Sequence, residues 1–262
     1  MPQLSLAGKG LVGIAGRWSR RAAGGMLDLL LPPRCLACTA VIDQPGGLCA
    51  DCWRDMPFLE PPWCARYGTP FSHDIGKDAL SPRAIAEPPV FDRARAATHY
   101  SGPARDLVLA LKFSRRRELA GPMGRWMVRA GREFLGENSV IVPVPLHRFR
   151  LWQRRFNQAA DLARAVAELS GGTYVPTLLH RKRRTRQQVG LDAAARQKNV
   201  RGAFAIREDL EGFVYGKQVA LVDDVLTTGA TVSACTKILK SAGAAGVDVL
   251  TFANADPAGV LE

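Results

Sequence analysis

Two adjacent carboxylates, Asp223 and Asp224, directly follow an apolar run that reads VALV. Ligands of open α/β sheets bind at the carboxyl ends of the strands, so a strand that ends at Val222 would place both acids in a binding cleft. The next residues, TTGAT, are small and rich in hydroxyl groups, and they lead into a segment with helical periodicity. Backbone N–H groups at a helix N-terminus favour a phosphate. Carboxylates beside such a phosphate site can accept hydrogen bonds from ribose hydroxyls, directly or through Mg²⁺. The stretch therefore predicts a sugar-phosphate site.

Two alternatives compete with this interpretation. The strand and acid pair could be the Mg²⁺ arm of a P-loop NTPase, but that motif requires G-x-x-x-x-G-K-[ST], which the chain lacks. The turn could also be an ordinary helix cap in which Asp side chains bond backbone donors. Two acids and three threonines around one glycine exceed what a cap needs, so we favour the ligand site. The predicted ligand-binding residues are Asp223, Asp224, Thr227, Thr228, Gly229, Ala230 and Thr231.

Four of the six cysteines form two C-x-x-C pairs near the N-terminus. Two such pairs can supply the four tetrahedral thiolates that a structural Zn²⁺ requires. A redox role for one pair is the alternative, and it leaves the second pair unexplained. Because no export signal is evident, the cytoplasm is the expected compartment, where thiols stay reduced. The predicted zinc ligands are Cys35, Cys38, Cys49 and Cys52.

Two basic segments have the composition of phosphate-binding loops. The first, HRFRLWQRRF, interleaves arginines with aromatic rings, which suits single-stranded nucleic acid and equally suits a pyrophosphate. The second, HRKRRTRQQ, is denser and could grip a phosphate backbone. Solvated loops are the alternative for both. The candidate residues are Arg148, Arg150, Arg154 and Arg155 in the first segment, and Arg181, Lys182, Arg183 and Arg184 in the second.

The composition is compatible with these sites. Lys and Arg outnumber Asp and Glu by 36 to 24, and the net charge of +12 favours polyanionic partners such as phosphorylated small molecules, nucleic acid or a membrane surface. Hydrophobic residues make up 47% of the chain, which is enough for a core and argues against global disorder. No stretch approaches the roughly 20 apolar residues of a membrane span, so no transmembrane segment is predicted.

The elements that must position these residues alternate between strands and helices from Phe91 onward. Apolar runs of strand length include SVIVPVPL, KQVALVDD and VDVLTFAN, and helical periodicity marks GPARDLVLALKF, NQAADLARAVAELS and TVSACTKILKSAG. Cys235 falls on the inward face of the last helix and is expected in the core. Such alternation predicts a parallel sheet that is covered by helices on both faces.

The composition changes along the chain in a way that predicts separate domains. Residues rich in Cys, Pro and Trp are typical of a small stapled module, and a stretch that mixes Pro, Gly and charge is typical of a linker. The predicted organisation is a flexible lead over 1–25, a zinc ribbon over 26–72, a linker over 73–90, an α/β domain over 91–255 and a tail over 256–262.

The segment VALVDDVLTTGAT resembles the 5-phosphoribosyl-1-pyrophosphate (PRPP) binding motif of type I phosphoribosyltransferases. The resemblance implies that Asp223 and Asp224 hold the ribose diol and that residues 227–231 hold the 5′-phosphate. In those enzymes a nitrogen base displaces Mg²⁺-pyrophosphate at the anomeric carbon through an oxocarbenium-like transition state. That chemistry needs the charge of the leaving pyrophosphate to be neutralised, which Mg²⁺ and basic residues can do.

A narrower resemblance runs from about Met26 to Phe252. The cysteine ribbon, LALKF, VPVPLHRFRLWQRRFNQAADLA, RKRRTRQQVGLDAAARQKNVRGAF and LVDDVLTTGAT occur in the order found in the ComF (ComFC-type) family, which is linked to DNA uptake in natural transformation. The resemblance implies a zinc ribbon joined to a type I phosphoribosyltransferase-like parallel-sheet domain that handles incoming single-stranded DNA with the DNA-uptake machinery. The chain departs from the family where a further C-x-x-C-G is frequent, because CARYG carries Tyr67 at the second cysteine position and leaves Cys64 without an assigned role.

Three functions are compatible with these resemblances. We favour a PRPP-binding protein that acts with single-stranded DNA in transformation. The alternatives are an active phosphoribosyltransferase in nucleotide or base salvage, and a DNA-binding adaptor with a vestigial PRPP pocket. The sequence identifies neither an acceptor base nor a catalytic base.

Overall fold

The computed structural model describes residues 32–146, 156–182 and 202–255, and the chain divides into two compact units between Trp53 and Arg54. Over residues 32–53 the backbone is held mainly by turns. An isolated antiparallel bridge joins Arg34 to Val41, and helix α1 spans Ala50–Arg54. A segment with so little regular structure needs another source of stability, such as a metal ion.

The second unit is built on a five-stranded sheet in the order β1-β7-β6-β2-β3, and every neighbouring pair in it is parallel. Strands β4 and β5 form a separate antiparallel pair. The strands are β1 (Arg93–His99), β2 (Val140–Pro143), β3 (Thr173–Tyr174), β4 (Leu179–Arg181), β5 (Phe204–Ile206), β6 (Gln218–Leu226) and β7 (Gly246–Asn254).

The helices of this unit connect and cover the strands, as parallel crossovers require. Among them, α5 begins at an Asn157 cap and ends at Gly171, whose φ of 75° stops the helix in the left-handed conformation. None of the helices in the described ranges has the length and apolarity to cross a membrane. The helices are α2 (Pro82–Ala86), α3 (Gly102–Phe113), α4 (Ala120–Ala130), α5 (Gln158–Ser170) and α6 (Ala230–Ser241).

The two faces of the sheet are covered by different helices. Val219 and Leu221 of β6 belong to the same core cluster as Cys235 and Leu239 of α6. On the opposite face, Trp126 of α4 contacts Phe252 of β7. All nine residues of β7 are buried, as expected for a central strand between two helical layers.

One buried acid holds three strands together at the opposite end of the sheet from the predicted ligand site. Asp248 of β7 is 0% exposed. Its carboxylate accepts two hydrogen bonds from Arg93 of β1, at 2.9 and 3.0 Å, and one from Gln218 of β6 at 2.6 Å. A buried carboxylate is tolerated only with such partners, so the network is structural.

The structure confirms the predicted parallel-sheet α/β domain preceded by a four-cysteine cluster. It corrects the predicted end of the strand before the acid pair. Strand β6 continues to Leu226 because β7 pairs with it through Asp223↔Thr251 and Leu226↔Asn254. Backbone pairing thus continues where the side chains become polar. The predicted lead over 1–25 and tail over 256–262 lie outside the described residues, and the domain boundaries stay a prediction.

Candidate phosphate-binding site and metal centre

The acid pair lies within the last four residues of β6, at the carboxyl edge of the sheet. Adjacent residues of a strand point to opposite faces, so the two carboxylates have different neighbours. Asp224 lies 3.0 Å from the Nζ of Lys112 on α3, and Asp223 lies on the α6 face close to Cys235. The Asp223 carboxylate also accepts the backbone N–H of Asp224 at 2.8 Å.

Burial and charge together adjust the acidity of the pair. Burial raises the pKa of Asp223, and the adjacent Asp224 raises it further. The backbone N–H of Asp224 and the ammonium of Lys112 act in the opposite direction, and the resulting pKa is about 7. The pair therefore gains its second negative charge near neutral pH, and hydroxyl donors or a cation would stabilise that charge.

Lys112 is a site residue to which sequence reasoning gave no role. It lies in the last turn of α3, and its side chain is only 21% exposed. Its partner, Asp224, lies 112 positions further along the sequence. The available signal was a single lysine at the end of the otherwise apolar run LALKF. A half-buried lysine beside two acids supplies the positive charge that an anionic ligand needs next to them.

The turn after β6 leaves the N-terminus of α6 open. Gly229 occupies the cap position with a φ of 77°, and no side chain caps the helix. An added Cβ would meet no atom nearer than 4.0 Å, so the requirement for glycine is conformational rather than steric. The first turn carries no acidic residue. An uncapped N-terminus of a 12-residue helix, whose cap Gly229 lies five positions after Asp224, is a favourable place for a phosphate.

The remaining predicted residues of this site are accessible. Thr227 is exposed, and Thr228, Ala230 and Thr231 are partly exposed. The structure thus brings the seven predicted ligand-binding residues into one strand end, turn and helix start. Their role in holding PRPP stays a prediction.

The described residues that flank the first basic segment lie beside this edge. After β2, the N–H of Val144 donates to Val222 of β6 at 2.8 Å. Asn157 donates from its side chain to the carbonyl of Val144 at 3.1 Å while it caps α5. The two ends of the connecting loop therefore lie beside each other and next to Val222, the residue that precedes Asp223. The predicted arginines lie between them, outside the described residues: Arg148, Arg150, Arg154 and Arg155.

The second basic segment begins in β4. Arg181 is half-buried, and its guanidinium lies 5.0 Å from the ring centre of Phe204 on β5. Burial raises the pKa of the Cys235 thiol, Asp223 raises it further, and the charge of Arg181 lowers it. Lys182 is exposed. Of these two predicted residues, Arg181 is therefore half-buried and Lys182 faces solvent. The remaining two, Arg183 and Arg184, lie outside the described residues.

The four predicted zinc ligands come together in the first unit. The sulfur atoms of Cys35, Cys38, Cys49 and Cys52 all lie within 4.8 Å of one another. A tetrahedron with Zn–S bonds of about 2.3 Å has edges of about 3.8 Å, and the Cys38 and Cys49 sulfurs are 3.6 Å apart. The donor set and its size therefore fit Zn²⁺.

Backbone donors prepare one of these sulfurs to be a thiolate. Burial alone would raise the pKa of Cys35, but backbone N–H groups of Cys38, Cys49 and Ala37 lower it, to about 6. The N–H of Cys49 lies 3.3 Å from the Cys35 sulfur. A thiolate is the form that binds a metal, so this geometry supports the fit.

A similar turn around Cys64 is filled by protein groups. The Cys64 sulfur is fully buried and accepts the N–H groups of Tyr67 at 3.5 Å and Ser81 at 3.3 Å. Burial would raise the pKa of this thiol, but the Ser81 and Tyr67 donors lower it. The Tyr67 ring packs edge-on against Phe91, and the Arg83 guanidinium lies 4.4 Å from its centre. Within the described ranges, the first cysteine cluster is the one group that could hold a metal.

Comparison with known proteins gives a consistent assignment. A double zinc ribbon domain matches residues 26–84. Competence protein F of Haemophilus influenzae is 28% identical over 228 residues, which cover 85% of this chain and 97% of that protein. DNA utilization protein YhgH of Salmonella typhimurium is 32% identical over 227 residues, which cover 84% of this chain and 96% of that protein.

Solved structures with detectable similarity are more distant. One is described as the allosteric regulatory enzyme of purine biosynthesis, with 22% identity, a TM-score of 0.35, and coverage of 55% of this chain and 30% of that chain. Another is a hypoxanthine phosphoribosyltransferase from Staphylococcus aureus, with 16% identity, a TM-score of 0.32, and coverage of 53% and 64%. The fold is therefore defined by the strand order of the sheet.

The fold and the cysteine cluster define a class of protein in which a zinc-ribbon segment precedes a parallel-sheet α/β domain. Within that class, identity above 30% over nearly the full length of a relative decides the family. The chain belongs to the ComF family, with competence protein F and DNA utilization protein YhgH.

Proposed function

We propose that the carboxyl edge of the sheet binds PRPP with Mg²⁺, and that the protein acts on single-stranded DNA during DNA uptake. The observation that carries the first part is the acid pair with its Lys112 partner, placed directly before the uncapped N-terminus of α6. The relatives' names, competence protein F and DNA utilization protein, support the second part.

Each group of the site has a task in this proposal. Ribose hydroxyls donate to Asp223 and Asp224, and the N–H groups of the first turn of α6 hold the 5′-phosphate. Lys112 and the basic loop after β2 offset the charge of the pyrophosphate. Bound Mg²⁺ supplies further neutralisation of the pyrophosphate oxygens.

The DNA part of the proposal rests on charge as well as on kinship. The net charge of +12 favours polyanions, and the aromatic and basic loop after β2 has the composition of a single-strand binder. Zn²⁺ held by the four clustered cysteines would fold the first unit and contribute no chemistry. Because that site requires reduced thiols, we place the function in the cytoplasm.

Calorimetric titration with PRPP and Mg²⁺ tests the sugar-phosphate site. We expect Asp223→Asn/Asp224→Asn to weaken binding by about 100-fold or more, because two charge-assisted groups of hydrogen bonds are lost. Asp209→Asn is the matched control, since Asp209 is an exposed acid paired with Arg207 outside the site. No binding by folded wild type, or equal binding by both variants, contradicts the proposal.

Two further measurements separate the alternative functions. Release of pyrophosphate when PRPP is mixed with purine or pyrimidine bases would favour an active salvage enzyme. Binding of single-stranded DNA by a wild type that has no affinity for PRPP would favour an adaptor with a vestigial pocket. We expect PRPP to bind and single-stranded DNA to bind as well.

A further inference from the structure

An aromatic groove lies in the second unit, and its lining includes neither residue of the acid pair. It runs between the segment 58–63 and α4, and Ala97 of β1 also lines it. Its volume is about 410 Å³, and its other lining residues include the rings of Phe58, Trp63 and Trp126. Nothing in the proposed PRPP site uses these residues.

We propose that this groove binds one base of single-stranded DNA by stacking, with the flanking phosphates held by arginines at its rim. The inference rests on the proposed function, because it assumes that this chain handles single-stranded DNA. It adds a location for one base that neither the family assignment nor the basic segments supply.

The rings are held in place by the structure around them. The Arg95 guanidinium lies 4.9 Å from the centre of the Trp63 ring, and Arg95 itself is only 3% exposed. Phe58 meets Trp126 edge-on at 5.6 Å, and Trp126 contacts the buried Phe252 at 6.0 Å. Both tryptophans remain partly exposed. A stacking surface that is already ordered loses little entropy on binding a base.

The charges around the groove complement a nucleic acid backbone. Arg129 and Arg132 are exposed at the rim, and Arg95 lies beneath Trp63. The nearby carboxylates are Glu60, which pairs with Arg129, and Glu133, which pairs with Arg95. Three guanidiniums against two carboxylates leave a local excess of one positive charge. The Arg129–Glu60 pair, at 2.7 Å, joins two exposed side chains, so a phosphate can replace the carboxylate at little cost.

The size of the groove selects a single strand over a duplex. A volume of about 410 Å³ accommodates one base and falls in the range of small-ligand pockets. Bases in a duplex are stacked on each other and do not reach such a pocket without unstacking. An apolar peptide would cover the rings but would bring no anion of its own to Arg129 and Arg132 at the rim. The combination of rings and guanidiniums therefore favours a nucleotide of a single strand.

Photocrosslinking of the full-length, zinc-loaded protein tests the location. The probe is an oligothymidylate that carries one 5-iododeoxyuridine, and the crosslinked peptides are identified by mass spectrometry. We expect crosslinks to Phe58, Trp63 or Trp126. An abasic oligonucleotide of equal length is the control for stacking, and we expect it to quench tryptophan fluorescence much less than oligothymidylate does.

A matched pair of charge reversals tests the rim. Arg132→Glu places a negative charge at the groove, and Arg125→Glu makes the same change at an exposed position of α4 that does not line it. We expect Arg132→Glu to weaken oligothymidylate binding about tenfold and to reduce the crosslink yield, while Arg125→Glu changes affinity by no more than about twofold. Both side chains are exposed, so both variants should fold.

The outcomes separate this inference from the proposed function. Crosslinks confined to other segments, with DNA affinity intact, overturn the groove and leave the proposed function standing; occupation of the groove by a peptide segment would give this result. Equal effects of the two charge reversals also overturn it. No binding of single-stranded DNA by wild type overturns both the groove and the DNA part of the proposed function, whereas the PRPP titration is judged separately.

Discussion

Burial of Asp223 favours its neutral carboxyl, whereas the proposed site needs the ionised carboxylate. Its pKa is about 7 in the folded protein, against 3.8 as its ordinary value. Between these values the folded state keeps a proton that the unfolded state has lost, so the free energy of unfolding falls as pH rises from about 4 to about 7. Asp223→Asn removes this penalty. We therefore expect it to raise the Tm at pH 8 by about 3 °C or more in the absence of Mg²⁺.

The same substitution should have a smaller effect in acid. At pH 5 the unfolded state has already lost most of this proton while the folded state keeps it, so the gain in Tm should fall to about 40% of its value at pH 8 and vanish only below about pH 4. Asp209→Asn serves as the control, because the hydrogen bond from the Arg207 guanidinium lowers the pKa of Asp209 by more than burial raises it. Thermal unfolding followed by circular dichroism measures both variants. A gain for Asp223→Asn that is equal at both pH values would contradict the explanation.

Lys112 provides the second prediction at the scale of a residue. Its ammonium offsets the acid pair, so Lys112→Met leaves the site more negative and less able to accept an anion. We expect the affinity for PRPP, measured by calorimetry, to fall about tenfold. Lys237→Met removes the same charge from an exposed position of α6 and should leave the affinity unchanged. If the two variants bind PRPP equally, Lys112 has no part in the site.

At the scale of elements, the effect of the turn between β6 and α6 on ligand binding can be separated from its effect on stability. Gly229→Ala forces a non-glycine residue to a φ of 77°, which costs about 1–2 kcal/mol. Gly216→Ala imposes similar strain at a φ of 64°, with open space around the added Cβ and outside the site. We expect comparable losses in Tm from both. Only Gly229→Ala should also weaken PRPP binding, by about tenfold or more, because relief of the strain moves the phosphate cradle.

The long elements could be predicted from the sequence because their side chains repeat with one clear period. The helical periodicity of GPARDLVLALKF and of NQAADLARAVAELS predicted α3 and α5, and apolar runs predicted β2, β6 and β7. Strands β4 and β5 were not predicted, since three residues each are too few to show a period. The end of β6 was predicted too early because pairing with β7, and not side-chain polarity, decides it.

The candidate site was predictable only where its residues are neighbours in sequence. The acids, threonines and glycine after β6 form one continuous stretch, and the four cysteines lie within 18 positions, counted from Cys35 to Cys52. The Lys112–Asp224 pair and the groove between Trp63 and Trp126 join residues that are far apart along the chain. Periodicity carries no information about such contacts, which depend on how the strands are ordered in the sheet.

At the scale of the whole molecule, the two compact units depend on different sources of stability. The second unit buries a large apolar core around its sheet, whereas in residues 32–53 the buried apolar side chains are Cys35 and Leu36. A segment with so small a core requires a metal or crosslinks to fold. The proposed zinc ion is therefore the main source of stability for the first unit and contributes little to the second.

The number of zinc ions bound per chain tests whether the protein has one zinc site, at the four-cysteine cluster, or two, as the name double zinc ribbon suggests. The fully buried Cys64 sulfur already has two backbone donors, and the Tyr67 ring stands at the second ligand position. We expect about one Zn²⁺ per chain by elemental analysis, with loss of that zinc in Cys52→Ser and full retention in Cys64→Ala. In Cys52→Ser, proteolysis should remove the first unit while the α/β unit stays resistant and still binds PRPP. Two zinc ions per chain, or a protease-resistant first unit without zinc, would show that the cluster and the Cys64 turn have been interpreted wrongly.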